Sequence, residues 1–148
     1  MTFRTSPSGE EKRRHQEHQA HQEVGATTDG LVRVAVDAGL KVHKLLGPGL
    51  LESVYEHCLA YELEARGLSL KRQPVLPIRY GEVSLDAGYR LDLLVEDLLI
   101  IEIKSVEALT RLHEAQMLTY LRLSRCRVGL LMNFNAVLFK QGVRRLTL

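Results

Sequence analysis

Asp92-Leu93-Leu94-Val95-Glu96-Asp97-Leu98-Leu99-Ile100-Ile101-Glu102-Ile103-Lys104 is the stretch on which the fold turns. Apolar residues on both sides of a short acidic break read as two strands, Leu85 to Val95 and Leu98 to Lys104, joined through Glu96-Asp97. Charge inside such runs is expensive to bury unless it is paired, yet Asp92, Glu102 and Lys104 interrupt them. Glu102 and Lys104 stand at i and i+2, so a strand sends both to one side of its sheet. The side taken by Asp92 depends on the connection. A two-residue turn at Glu96-Asp97 pairs Leu91 with Glu102 and puts Asp92 on the opposite face, whereas an odd-length loop or a bulge sets Asp92 directly across from Glu102.

If the carboxylates converge, Asp92 and Glu102 are hard oxygen ligands suited to Mg²⁺ or Mn²⁺, with the backbone carbonyl of Ile103 as a third. Such an ion polarises a phosphodiester and lowers the pKa of bound water. Lys104 cannot be a metal ligand while protonated, but as the ammonium it can hold the attacking water and offset phosphate charge, and as the neutral amine it can deprotonate that water. The competing structural account is an ion pair between Glu102 and Lys104 at a strand edge, with Asp92 exposed.

Upstream of this stretch the apolar period is helical. Leu31, Val34, Ala35, Ala38, Val42, Leu45 and Leu46 predict a helix that starts at a Thr28 or Asp29 cap and ends at Gly47-Pro48-Gly49. A second runs from Leu51 to Arg66 on a stripe of Leu51, Val54, Tyr55, Cys58, Leu59 and Leu63, with Gly67 as its stop. Gln73 to Tyr80 reads as a further strand, placed at an edge by Pro74 and Pro77. Downstream, Glu107 to Leu123 is helical, Arg127 to Met132 is a strand, and Val137 to Phe139 with Val143 to Leu148 are short terminal strands after the Asn133-Phe134-Asn135 turn. Helices, a hairpin, a crossover helix and another strand predict an α/β domain with a mixed sheet.

With 148 residues, 45% of them hydrophobic and 26% charged, the chain has the composition of one globular domain. Residues 1–27 read as a flexible polar tail without an apolar leader, and 28–148 as the domain. His15, His18 and His21 recur every third residue in that tail, a pattern that Gln- and His-rich disorder accounts for without a metal. No run has the length of a membrane span, and Cys58 and Cys126 are expected as free thiols in a cytoplasmic protein. Seven acids lie between Glu82 and Glu107 against Arg90 and Lys104, while seven bases lie between Arg111 and Leu148 against Glu114 alone. Ordinary surface charge explains this division, and so does a cation site beside a surface that tolerates phosphates.

Other polar residues stand near the trio in the expected fold. Glu52 opens the second helix and is a candidate further carboxylate for the ion, with Tyr55 and Glu56 at i+3 and i+4 on roughly the same side. Gln116 and Tyr120 are at i and i+4 on the helix after Lys104, with His113 one turn earlier; Gln116 is a candidate to orient water or phosphate. Core packing with a satisfied hydroxyl serves as well for Tyr55 and Tyr120, and a favourable first-turn charge for Glu52. His43, ending the first helix, has a phosphate contact and a capping or packing role as alternatives. Gly-Pro-Gly at 47–49 lacks the Lys-Ser/Thr of a phosphate loop, which argues against a nucleotide hydrolase, and is read as a turn that presents Glu52.

Gly49-Leu50-Leu51-Glu52-Ser53-Val54-Tyr55 resembles the signature of the GxxExxY proteins, a branch of the PD-(D/E)XK nuclease superfamily. The resemblance extends over Val42-His43, Leu46 to Gly49, Asp86 to Asp92, Glu102-Ile103-Lys104, His113 to Gln116, Tyr120 and Asn133-Phe134-Asn135. It implies a restriction-endonuclease-like core in which Asp92 and Glu102 are the metal-binding acids and Lys104 is the catalytic lysine. Glu52 is then the helix glutamate, and Gln116 and Tyr120 are accessory positions. Arg90-Leu91 stands where the superfamily has its eponymous proline, which serves backbone geometry rather than the metal. The implied activity is Mg²⁺- or Mn²⁺-dependent hydrolysis of DNA that leaves a 5′ phosphate, with RNA as alternative substrate and a homodimer as one way to extend a small binding surface. The rival readings are a nucleic-acid-binding protein without turnover and a protein-interaction module on the same fold.

Overall fold

The computed structural model describes residues 27–148 together with Glu10 and Arg13; the remainder of the tail, including its three histidines, lies outside the described residues. Residues 27–148 form an α/β domain: a mixed five-stranded sheet, a separate hairpin and three flanking helices. Helix α1, Thr28–Leu46, is capped one residue earlier than expected, because the Thr27 hydroxyl accepts the Gly30 N–H at 3.0 Å. It buries Leu31, Val32, Ala35, Ala38 and Val42 and stops where Gly47 takes φ +70°. Helix α2, Glu52–Ala65, turns Tyr55, Leu59 and Leu63 inward at successive i+4 steps. Leu51 and Val54, expected on the same stripe, face solvent instead.

The strands are shorter than the alternation predicts. Strand β1, Leu70–Arg72, precedes the expected Gln73–Tyr80 segment, and only Ile78–Tyr80 of that segment is a strand, β2. It pairs with β3, Val83–Leu85, in a hairpin outside the main sheet. The long strand expected from Leu85 to Val95 is broken where Gly88 takes φ +77° and donates its N–H to Asp86 Oδ1, and it resumes as β4, Leu93–Val95. Strand β5 is Leu99–Lys104. Helix α3, Arg111–Ser124, starts later than expected because Thr110 caps it, and it leads to β6, Val128–Asn133. A 3-10 turn at Phe139–Gly142 stands where a strand was expected before β7, Val143–Thr147.

The main sheet has the order β1-β4-β5-β6-β7, with β5 and β6 parallel and the other neighbours antiparallel. Its two faces bury separate cores. Leu93, Leu99, Ile101, Ile103, Leu130 and Met132 pack with α1 and α2, while Ile100 and Leu131 pack with Met117, Tyr120 and Leu121 of α3. Among the described residues no helix is long and apolar enough to cross a membrane. Cys58 and Cys126 are free thiols.

Candidate active site

Two left-handed residues decide where Asp92 points. Glu96 and Asp97 take φ +54° and +53°, and Leu98 N–H closes the turn on the Val95 carbonyl at 3.0 Å. The ladder nevertheless pairs Val95 with Leu99, leaving Leu98 as one extra residue on the β5 side. Three residues thus separate the paired positions, the odd-length connection that puts Asp92 opposite Glu102. The bonds follow from that register: Asp92 N–H donates to Glu102 Oε1 at 3.0 Å, and Ile103 N–H donates to Asp92 Oδ2 at 2.8 Å. Each carboxylate satisfies the backbone of the other strand where the regular ladder ends.

Glu102 is only 6% exposed. Burial first, and the Asp92 charge second, push its pKa up to about 8, with the Lys104 ammonium pulling the other way. A strand residue sends its N–H and C=O toward the same neighbour, so the Ile103 carbonyl lies on the Asp92 side, beside both carboxylates. Lys104 is half-buried, on the same face as Glu102, and its carbonyl accepts Phe134 N–H at 2.9 Å.

The expected neighbours divide into two groups. Tyr120 is buried in the core between α3 and the sheet face that carries Glu102, and its pKa is raised by burial first and then by the Glu102, Tyr89 and Asp92 charges. Glu52 reaches the end of β5, where its Oε1 accepts Ser105 N–H at 3.3 Å. Gln116 is solvent-exposed one turn before Tyr120. The remaining three are structural. The fully buried Tyr55 stacks on Phe134 at 4.6 Å, donates to the Gly47 carbonyl at 2.6 Å and accepts Leu50 N–H at 3.0 Å, which ties down the loop that presents Glu52. His113 Nδ1 accepts Thr110 N–H, completing a reciprocal cap on α3. His43 Nε2 is bonded to the Ala136 carbonyl at 2.7 Å and packs on Phe139, away from the acidic pair.

Four further residues enter the site, two of them unmarked in the sequence. Gln73 Nε2 donates to both Glu56 Oε2, at 2.8 Å, and Asp92 Oδ1, at 3.2 Å. Ser105 Oγ donates to the Leu50 carbonyl at 2.7 Å, joining the end of β5 to the turn before α2. Buried Asn133 holds the segment after Lys104, because its Oδ1 accepts Val106 N–H and its Nδ2 donates to the Val106 carbonyl. Glu56 stands at i+4 from Glu52 and Asn133, the last residue of β6, opens the Asn133-Phe134-Asn135 stretch, so both are marked in the sequence; nothing in it marks Gln73 or Ser105. Among the described residues no three His, Cys, Asp or Glu side chains gather into a metal-binding cluster.

The family model of the PD-(D/E)XK nuclease superfamily matches residues 29–146. No curated protein matches the chain. No solved structure matches it.

Proposed function

The chain belongs to the PD-(D/E)XK nuclease superfamily, and from that premise we propose that it hydrolyses DNA phosphodiesters with Mg²⁺ or Mn²⁺, within the GxxExxY branch that Gly49, Glu52 and Tyr55 resemble. The observation that carries the reading is the convergence of Asp92 and Glu102 through a register-shifting connection. Two hard carboxylates and the Ile103 carbonyl fit a divalent cation, and a cation would offset the burial and the Asp92 repulsion that hold the proton on Glu102. Mg²⁺ is commonly bound by one or two carboxylates plus waters and substrate phosphates, so the pair suits it without a third acid.

When bound, the ion supplies charge withdrawal from the phosphate and acidification of water. Asp92 and Glu102 bind it and fix its place against β5. The Lys104 ammonium faces the same side as Glu102, where it orients the attacking water and offsets developing phosphate charge. Tyr120 keeps bulk water from the far side of the pair, and Glu52, at the start of α2, and Gln116, on α3, border the approach. DNA is the proposed partner, RNA the alternative substrate.

A second reading keeps the fold without turnover, as a nucleic-acid-binding or protein-interaction module. The lack of a cluster of three metal-binding side chains among the described residues favours it. A cleavage panel separates the two: branched, nicked, single-stranded and duplex DNA, and RNA, each with Mg²⁺ or Mn²⁺. We expect cation-dependent cutting that falls in Asp92→Asn by more than the roughly 10–100-fold typical of losing an outer-shell partner. Activity unchanged in Asp92→Asn sinks the site assignment. Salt-sensitive DNA binding without cutting, unaltered in Lys104→Ala, establishes the second reading.

A further inference from the structure

Gln73 occupies a backbone position that does not suit it. It takes φ +53° immediately before Pro74, in the left-handed region that glycine and asparagine enter with less strain. Its backbone N–H donates to the Asp92 carbonyl at 2.9 Å, and a glycine would make the same bond. The side chain is what a glycine would lack. The Glu56 and Asp92 oxygens are acceptors, so the amide nitrogen is the end facing both, and its two hydrogens serve one carboxylate each.

The consequence falls on Asp92. Its Oδ2 is held by Ile103 N–H and its Oδ1 by Gln73, which fixes the plane of the carboxylate against β5. With one of these bonds removed, the carboxylate can rotate about the other. The same amide also holds the Glu56 carboxylate beside Asp92, where the two charges otherwise repel; that repulsion, after burial, contributes to the raised Glu56 pKa.

We propose that Gln73 is a positioning residue, whose carboxamide sets the orientation of Asp92 toward the divalent cation and anchors Glu56 beside it. This rests on the cation site proposed above. The test is Mn²⁺ binding by the full chain, without substrate, followed through the paramagnetic resonance of free Mn²⁺. Gln73→Gly removes the side chain and relaxes the backbone. Gln73→Asn keeps an amide and tolerates the conformation but is one methylene too short to bridge. Both variants are expected to melt at or above the wild-type temperature while binding Mn²⁺ about 10-fold or more weakly, the scale of losing an outer-shell partner. Wild-type affinity in either variant overturns the role of Gln73 and leaves the cation site standing. Failure of the wild-type chain to bind millimolar Mn²⁺ overturns both.

Discussion

Glu102 keeps its proton to about pH 8 because β5 buries the carboxylate and Asp92 sets a second negative charge across from it. In the unfolded chain the same group ionises near its ordinary value of 4.5. Between those two values the folded protein binds more protons than the unfolded one, so stability falls as pH rises from the ordinary carboxylate range to about 8 and levels off above it. Glu102→Gln removes this cost. Its amide oxygen can still accept Asp92 N–H, and its amide nitrogen can donate to the Asp92 carboxylate. With a chelator present, we expect the variant to melt roughly 5–10 °C above wild type at pH 9, from a gain on the order of 2–4 kcal/mol. At pH 4 the two should melt within about 2 °C of each other. Equal melting temperatures at pH 9 would show that Glu102 is ionised in the folded protein without penalty. The residues of this site that could be read from sequence are those whose partners are fixed by strand period: Glu102 with Lys104, and Asp92 once an odd connection is required. Gln73 could not be read, because its partners come from the residue before β4 and from α2, and only pairing of β1 with β4 brings them to it.

The β4–β5 turn shows which magnitudes decide local stability. Asp97 has φ +53° and forms an ion pair with Lys71 at 2.9 Å, both side chains largely in solvent. An exposed pair is worth about 0–1 kcal/mol, whereas the left-handed conformation costs an ordinary residue about 1–2 kcal/mol, less for aspartate. Asp97→Gly should therefore stabilise the protein by about 0.5 kcal/mol despite losing the ion pair. Urea unfolding at low and at high salt checks this; a loss of stability that disappears at high salt would mean the pair outweighs the turn. Helices α1 and α2 were legible because a sustained helical period ends at Gly47 and Gly67, both with positive φ. The strands were less so. Alternation over Gln73–Tyr80 suggested one element, but left-handed Gln73 and two prolines break its first half down to an isolated bridge between Val75 and Arg90, and its second half pairs in the separate hairpin. The hydroxyl of Thr110 likewise began α3 later than periodicity alone implied. In each case a local backbone bond outweighed the apolar pattern.

At the scale of the whole molecule, the two cores meet only through the sheet, and glycines set how closely the helices approach from each side. On one side, a Cβ at Gly39 of α1 would lie 2.5 Å from Phe139 Cζ. That ring is confined, tilted against Phe134 at 5.2 Å and against His43 at 5.6 Å, and His43 is itself tied to the Ala136 carbonyl. On the other side, a Cβ at Gly129 of β6 would run into Met117 Sδ, on a flexible thioether that has other rotamers to occupy. Overpacking costs about 1–3 kcal/mol where neighbours cannot yield. Gly39→Ala should accordingly destabilise by about 2–3 kcal/mol, with part of the strain met by α1 moving away from the 3-10 turn, and Gly129→Ala by less than about 1.5 kcal/mol. Urea unfolding of both variants measures the difference. Phe139→Leu in the Gly39→Ala background should restore part of the loss by giving the new methyl room, and should do nothing for Gly129→Ala, whose clash lies across the sheet. A reversed order of the two glycine variants, or a Phe139→Leu rescue of the wrong one, would mean that the two cores yield together rather than separately.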